Sequence, residues 1–197
     1  MKRIAAVATL SVILVLAGFL LASNTSAQMK GKWTTLFDGS SLDGWNMIGD
    51  ANWRLEDKLA VADKGTGFLV SKDSYGDFEV RAEFWVDAKA NSGVFLRCSD
   101  PKNVTAANAY EVNIFDERPD PSYGTGAIVN VGKPSTVIKA AGKWNTYDIT
   151  AEHSHFTVTL NGIRTVDVQD STHDRGPIAL QYAAGVVKFR KVEIKPL

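Results

Sequence analysis

The amino-acid sequence predicts an all-β protein in which two antiparallel sheets pack face to face as a jelly-roll sandwich. Short runs rich in Val, Ile, Phe, Tyr and Trp alternate apolar with polar residues, and clusters of Gly, Asp, Asn and Ser separate these runs. No segment has a convincing helical period, apart from a short turn around residues 104–108. Many short strands without crossover helices are typical of such a sandwich.

The N-terminal segment predicts export. Lys2 and Arg3 precede an apolar run from Ile4 to Ala22, and small residues at Thr25-Ser26-Ala27 resemble a cleavage site. We therefore predict a signal peptide over residues 1–27 and a mature chain that works in the periplasm or outside the cell. Because the apolar run is longer than most signal-peptide cores, an uncleaved membrane anchor is the alternative.

The remaining residues, 28–197, are predicted to form a single β-sandwich domain, because no Pro/Ser-rich linker or internal repeat divides them. Without Lys2 and Arg3 the 22 basic and 22 acidic residues become 20 and 22, a net charge near −2. No basic cluster is present, so nucleic acid is excluded as a partner. Cys98 is the only cysteine and cannot form an intramolecular disulfide. The sequence does not predict an oligomeric state.

Eight strands follow from the period-two alternation. In chain order they are Asp77–Val86, Gly93–Cys98, Ala109–Phe115, Trp144–Thr150, His155–Leu160, Ile163–Val168, Pro177–Tyr182 and Val186–Ile194. Asn161-Gly162 predicts a tight hairpin between the fifth and sixth of these, because both residues tolerate the positive φ of a type I′ turn.

Strand parity predicts one sheet face with unusual chemistry. If the strands around residues 95 and 112 are neighbours, Phe95, Arg97, Glu111 and Asn113 meet on that face, and Gln181 has the matching parity on its own strand. An arginine, a carboxylate, amides and a ring suit a polar, ring-shaped ligand such as a sugar. The alternative is that Arg97 and Glu111 form a cross-strand ion pair on a half-wet face.

Three further residues are candidates for the rim of such a cleft. Trp85 shares parity with the charged residues of its strand, so its ring is exposed or lines a cleft. Tyr123 lies in a glycine-containing loop, and His173 precedes a strand from which it could project over a sheet face. No metal-binding loop of recognisable spacing is present, so no cofactor is predicted, although a divalent cation such as calcium stays open.

Eight motifs occur in an order found in one bacterial family: LFDGSSLDGW, NSGVFLR, YEVNIFDE, TGAI, GKWN, LNG, GPIALQ and VKFRKVEIKPL. From about Trp33 to Leu197 the chain resembles the 3-keto-disaccharide hydrolase domain family. The resemblance implies a concanavalin A-like sandwich that acts on glycosides already oxidised to a ketone at C3. Asn113 stands where many relatives have Gln, which shortens a side chain at the expected site, so the substrate could differ. Lys191 stands where the closing motif usually reads Arg-Asn, and we expect this change to affect a turn near the C-terminus.

The carboxylates also bear on mechanism. An ordinary glycosidase needs two carboxyl groups about 5–9.5 Å apart. Glu111 and Asp116 are separated by about 16 Å of extended strand and point to opposite faces, unless a turn after Phe115 brings Asp116 back. A C3 ketone acidifies the C2 proton, so one base then suffices. We assign Glu111 as base and Arg97 as the group that orients the sugar or stabilises the enolate.

In this mechanism Asn113 and Gln181 hold hydroxyl groups of the substrate. The sequence thus predicts an exported hydrolase or lyase that cleaves 3-keto-glucosides or 3-keto-disaccharides, by proton abstraction and loss of the C1 substituent. A noncatalytic carbohydrate-binding module on the same kind of sandwich is the alternative, since this architecture hosts both. A structural surface protein, with neither cleft nor ring platform, is a third.

Overall fold

The structure, a computed structural model, describes residues 31–197. The predicted signal peptide over residues 1–27 and the alternative of a membrane anchor both fall outside the described residues. Across residues 31–197, no helix has the length and apolar character needed to cross a lipid bilayer.

Strands dominate this part of the chain, with one short 3-10 turn at Pro121–Tyr123. In chain order the strands are β1 (Thr34–Phe37), β2 (Trp45–Gly49), β3 (Arg54–Glu56), β4 (Leu59–Ala62), β5 (Gly67–Ser71), β6 (Phe78–Val86), β7 (Asn91–Leu96), β8 (Tyr110–Ile114), β9 (Trp144–Glu152), β10 (His155–Leu160), β11 (Ile163–Gln169), β12 (Ala179–Ala184) and β13 (Val187–Pro196).

Two antiparallel sheets account for all of these strands. The larger has the order β11-β10-β9-β6-β13-β4-β3, with β1 also paired to β13, and the smaller has the order β2-β5-β12-β7-β8. Hydrophobic side chains from both sheets form one buried core between them. The strict buried-and-half-buried alternation along β6 shows how one face of a strand fills this core. The predicted two-sheet antiparallel sandwich is confirmed.

All eight predicted strands are present, and every predicted boundary lies within two residues of the observed one. The predicted hairpin is also confirmed, because Leu160 pairs with Ile163 and both intervening residues have positive φ. Residues 104–108 form turns without a helix. The five strands from β1 to β5 were not predicted, because they have only three to five residues and too few alternating positions to give a clear period.

A second, smaller apolar cluster lies on the face of the smaller sheet that points away from the core. Val70, Phe95 and Ala179 come from three adjacent strands, and Val104 from the β7–β8 connection packs against them. The connection therefore folds back over one part of this outer face. Cys98 is buried in the same cluster, consistent with an inert thiol.

Candidate active site

The outer face of the smaller sheet carries a row of polar side chains beside this apolar cluster. Gln181 of β12 pairs with Gly93 of β7, and Gly93 in turn pairs with Asn113 of β8. Glu111 lies two residues before Asn113 and pairs with Phe95. Because neighbouring strands are about 4.8 Å apart, Gln181 and Asn113 flank Gly93 with about 10 Å between their Cα atoms. Glu111, Asn113 and Gln181 thus share a face, as strand parity indicates.

Glu111 is a buried carboxyl group without a bonding partner. Its side chain belongs to a residue that is only 9% exposed, and no described residue forms a hydrogen bond or ion pair with its carboxylate. Burial raises the pKa of Glu111 to about 7, and the positive charge of Arg118 partly opposes this rise. A carboxyl group with such a pKa can take up and release a proton near neutral pH.

The absence of a side chain at Gly93 makes room for Glu111. A Cβ atom on Gly93 would lie 3.3 Å from Glu111 Cγ and 3.2 Å from both Phe95 Cε2 and the backbone oxygen of Val112. Glu111 therefore leans across the sheet towards Gly93. A larger residue at position 93 would push the carboxyl group away from the sheet.

Two amide groups flank the same glycine. Asn113 Nδ2 donates a hydrogen bond of 2.5 Å to the backbone oxygen of Tyr123. This bond fixes the amide plane, so that Asn113 Oδ1 points away from Tyr123. Both Asn113 Oδ1 and Gln181 Oε1 are buried without a hydrogen-bond partner among the described residues. A buried acceptor that lacks a donor costs about 1–3 kcal/mol. A ligand that donates hydrogen bonds from hydroxyl groups would remove this cost.

Arg97 does not lie on this face, so the prediction that it shares the face of Glu111 is wrong. Its backbone φ of 52° directly follows the end of β7 and breaks the strand alternation. The guanidinium group donates hydrogen bonds to the backbone oxygens of Gly76, His153 and His173 and pairs with Asp77 at 3.0 Å. Arg97 is 1% exposed and ties loops together at the end of the sandwich.

Asp116 lies just beyond the end of β8, and its carboxylate serves as an anchor. It accepts hydrogen bonds from Thr125 Oγ1 at 2.6 Å and from the backbone N–H groups of Ala140 and Ala141, each at 2.9 Å. With these donors the carboxylate fixes the loop before β9 to the end of β8. The structure therefore places Asp116 in a structural contact and not beside Glu111 as a free second carboxylate.

Of the candidate rings, Phe95 and Tyr123 lie close to the polar row. Phe95 is only 1% exposed and packs in the outer apolar cluster, so its ring supports the site from beneath and has no free face for stacking. Tyr123 is half-buried, its backbone oxygen holds Asn113, and Lys133 Nζ lies 6.0 Å from its ring centroid.

Trp85 and His173 lie elsewhere. Trp85 belongs to β6 of the larger sheet, where Lys188 Nζ lies 5.1 Å from its ring centroid, so it does not share a sheet face with Glu111 of β8. His173 packs against the ring of Tyr110 at 5.1 Å, and its backbone oxygen accepts from Arg97. Its position at the end of the sandwich places it away from the polar row.

A family model described as the 3-keto-alpha-glucoside-1,2-lyase-like domain matches residues 32–195. The chain belongs to this family. The predicted family resemblance is thereby confirmed, and it extends over nearly all of the described residues. No curated protein sequence matches the chain significantly.

Solved structures share the fold of this lyase-like domain. A Parabacteroides distasonis protein provisionally named a glycosyl hydrolase superposes with a TM-score of 0.76 at 21% identity, covering 85% of this chain and 94% of that one. The carbohydrate-binding module CBM66 of Bacillus subtilis gives 0.63 at 18% identity, with coverages of 77% and 95%. A Bacillus licheniformis β-glucanase gives 0.59 at 11% identity, with coverages of 85% and 99%. These matches confirm the concanavalin A-like jelly roll.

Sequence reasoning missed three residues of the site in this lyase-like domain. Arg118 provides the positive charge that acts on Glu111, Gly93 makes room for that carboxyl group, and Phe68 of β5 pairs with Gln181 at the other end of the polar row. The sequence did indicate a special role for Gly93, because a glycine inside an alternating strand often marks a place where a ligand or another part of the chain comes close to the backbone. Arg118 follows the end of a strand, where side-chain parity no longer applies.

Within residues 31–197, no group of three or more His, Cys, Asp or Glu side chains is arranged to hold a metal ion. The carboxylate of Glu111 has two amide side chains, Asn113 and Gln181, as its polar neighbours on the sheet, and both present acceptors without partners. The polar row therefore presents acceptor oxygens, which suit hydrogen-bond donors such as hydroxyl groups.

Proposed function

We propose that this domain cleaves 3-keto-glucosides and that Glu111 removes the proton at C2 of the oxidised sugar. The observation that carries the proposal is the buried carboxyl group of Glu111, which has no partner and a pKa near neutral pH. A general base is most effective when its pKa lies close to the working pH. Membership of a 3-keto-glucoside lyase-like family supports the choice of substrate.

The proposed chemistry needs one base. The C3 ketone acidifies the C2 proton, the Glu111 carboxylate takes that proton, and the electron pair left at C2 forms an enolate. The enolate then re-forms the C3 ketone while a C1–C2 double bond forms and the C1–O bond breaks. The electrons of that bond go to the leaving oxygen, which takes the proton that Glu111 holds, so that the carboxylate is regenerated. Elimination alone is a lyase reaction, and addition of water to the enone completes a net hydrolysis.

Two kinds of neighbour support this chemistry. The positive charge of Arg118 acts on Glu111 and stabilises the negative charge that develops on the enolate. The sequence analysis assigned this role to Arg97. The unpartnered oxygens of Asn113 and Gln181 accept hydrogen bonds from sugar hydroxyl groups and so orient the ring.

The test is turnover of a 3-keto-glucoside by Glu111→Gln, which keeps the shape of the side chain but cannot accept the proton. We expect kcat to fall by a factor of about 10²–10⁴, the usual contribution of a general base. The matched control is Glu117→Gln, because Glu117 is an exposed carboxylate just beyond the same strand. Full activity in Glu111→Gln would eliminate the assignment.

A noncatalytic carbohydrate-binding module is the second candidate, and the structural match to CBM66 favours it. Measurement of sugar release and of sugar retention on the same protein separates the two. Retention of a glucoside with no release from any 3-keto-glucoside would establish the binding module. Release that depends on Glu111 would establish the enzyme.

We also propose that the domain works outside the cytoplasm, on the basis of the N-terminal sequence alone. Cell fractionation and N-terminal sequencing of the protein from its native host test this. A mature protein that begins near Gln28 in the periplasm or medium supports export with cleavage. An intact N-terminus in the membrane fraction supports an anchor.

A further inference from the structure

A pocket of about 200 Å³ lies beside His173 at the end of the sandwich, away from the polar row. Three segments that are distant in the sequence form it: the end of the β7–β8 connection, the β8–β9 connection and the segment that follows β11. Since a water molecule occupies about 30 Å³ in the liquid, the pocket has room for about six groups of that size. The function proposed above gives this pocket no role.

Asp170 provides the pocket with a carboxylate that stays ionised. Its Oδ1 atom accepts hydrogen bonds from the Tyr110 hydroxyl at 2.6 Å and from the backbone N–H of Thr172 at 2.8 Å. The bond from Tyr110 is the main cause that lowers the pKa of Asp170 below its ordinary value, although burial opposes it. No Lys or Arg side chain lines the pocket. A cation from outside the chain can therefore pair with Asp170.

His173 and Asn130 provide further acceptors in the same pocket. The His173 ring meets the Tyr110 ring nearly edge-on, with 5.1 Å between the centroids. Arg97 donates to the backbone oxygen of His173, but its charge is paired with Asp77 and it does not line the pocket. A carboxylate oxygen, a neutral imidazole nitrogen and an amide oxygen match in number the three N–H donors of a primary ammonium group.

Short apolar side chains form the remaining walls. They are Ala106 and Ala107 from the β7–β8 connection and Val129 and Val131 from the β8–β9 connection. The Val129 N–H donates to the backbone oxygen of Glu111 at 3.0 Å, which fixes this wall to the edge of β8. Such walls suit a short hydrocarbon chain, because its burial needs no hydrogen bond. A wall that is already in place loses little conformational entropy when a ligand binds.

A metal ion is the other cation that a carboxylate and an imidazole can bind. The part of the chain that the structure describes, residues 31–197, holds no group of three or more His, Cys, Asp or Glu side chains arranged for a metal. Ala and Val make up half of the pocket lining and offer a metal no ligand. An ammonium group on a short carbon chain matches both the charge and the apolar walls.

We propose that this pocket binds the primary ammonium group of a small amine. The ammonium group pairs with Asp170 and donates to His173 and Asn130, and the hydrocarbon part lies against the Ala and Val walls. The site is independent of the function proposed above. It distinguishes an amine from the alcohol and the carboxylic acid of the same shape.

The test is titration of the isotope-labelled domain at neutral pH with butylammonium, butanol or butyrate, followed by amide NMR shifts. We expect butylammonium to shift the amide signals of Asn130, Thr172 and His173, with a dissociation constant of the order of millimolar. Butanol should bind about tenfold more weakly or worse, because it lacks the charge. Butyrate should cause no shift at these amides.

Two variants separate charge from shape. Asp170→Asn keeps an acceptor for Tyr110 and Thr172 but loses the charge, so affinity for butylammonium should fall about tenfold while affinity for butanol stays the same. Ala107→Leu fills the pocket from an exposed wall and should weaken both ligands. It leaves the carboxylate intact, so it tests the site even if Asp170→Asn fails to fold. The matched control is Asp174→Asn, an exposed carboxylate outside the lining.

Equal affinity for butylammonium and butanol would overturn the proposal, and so would binding that survives Ala107→Leu. An equal loss in Asp174→Asn and Asp170→Asn would overturn it too, because the amine would then respond to general surface charge. Shifts of the same amides by Zn²⁺ or Ca²⁺ alone, without a response to butylammonium, would make the pocket a metal site. None of these outcomes depends on turnover at Glu111.

Discussion

At the scale of the residue, the proposed chemistry depends on one carboxyl group, that of Glu111, which is buried without a hydrogen bond or an ion pair among the described residues. Most carboxylates of the described chain are exposed or paired with Arg, Lys or backbone N–H groups, as in the pair of Arg81 with Asp148. Glu111 has neither arrangement, and its charged form is therefore disfavoured. The fold keeps Glu111 at this position although burial disfavours its charged form.

The pKa of Glu111 predicts how stability varies with pH. Its folded-state pKa of about 7 lies above the ordinary value of 4.5, so the folded protein binds this proton more tightly than the unfolded chain. The resulting stability is fully present below about pH 4.5 and is lost as the pH rises through about 7. Between pH 5 and 8 we expect wild type to lose roughly 2–3 kcal/mol of unfolding free energy relative to Glu111→Gln.

Urea unfolding of both proteins at pH 5 and pH 8 measures this difference, because other titrating groups cancel in the comparison. Activity should change in the opposite direction, since kcat/KM of the wild type requires the carboxylate and therefore rises through about pH 7. Parallel stability curves for the two proteins would show that Glu111 titrates as an ordinary glutamate.

At the scale of the element, strand parity predicts side-chain direction only while the backbone remains extended. The parity of β8 and β12 places Glu111, Asn113 and Gln181 on one face, in agreement with the observed register. The same rule fails for Arg97, because its left-handed backbone turns the chain one residue after β7 ends. Nothing in the residue type at position 97 signals that turn, since arginine rarely adopts positive φ.

The end of β8 provides a prediction about Asp116. Asp116→Ala removes the acceptor for two backbone N–H groups, at Ala140 and Ala141, and for the Thr125 hydroxyl. We expect a loss of about 1–3 kcal/mol in unfolding free energy and faster amide exchange at Ala140 and Ala141. Asp116→Asn keeps one acceptor oxygen and should recover part of the loss. A fall in kcat at unchanged stability would instead place Asp116 in the chemistry.

At the scale of the whole molecule, the two sheets expose outer faces of different character. The larger sheet pairs tryptophans with cations, as where Arg190 lies 4.5 Å from the Trp144 ring centroid and Lys188 lies 5.1 Å from that of Trp85. Each of these rings already has a charged partner. The smaller sheet offers unpaired acceptors instead, and a groove between β5 and the loop that follows β7. This difference favours the smaller sheet as the ligand-binding face that we propose.

Trp85→Ala tests this division between the two faces. We expect no change in sugar retention or turnover and a loss of at most about 1 kcal/mol in stability, the scale of an exposed cation–π contact. Calorimetric titration with a disaccharide, with Phe68→Leu measured alongside, checks both statements. Loss of retention in Trp85→Ala would move the sugar site to the larger sheet.

The sequence allowed prediction of the sandwich and of the face that Glu111, Asn113 and Gln181 share, but it did not allow prediction of the candidate site as assembled. Glu111, Asn113 and Gln181 lie on regular strands, where alternation determines direction. Arg118 and the groove wall at Lys102 and Asn103 lie in connections, where position depends on long-range contacts that leave no local period.

The position of β13 has a consequence for how this domain is made. The strand lies between β6 on one side and β4 with β1 on the other, so the larger sheet is divided until residues 187–196 arrive. Because the ribosome releases the N-terminus first, β4 and β6 are synthesised before their partner β13. Until β13 is available, the edges that it covers are unpaired, and unpaired strand edges are prone to aggregation. We expect the domain to stay unfolded during synthesis and to fold only after its last strand is released. For the export that we propose from the N-terminal sequence, such a delay would keep the polypeptide extended until it has crossed the membrane.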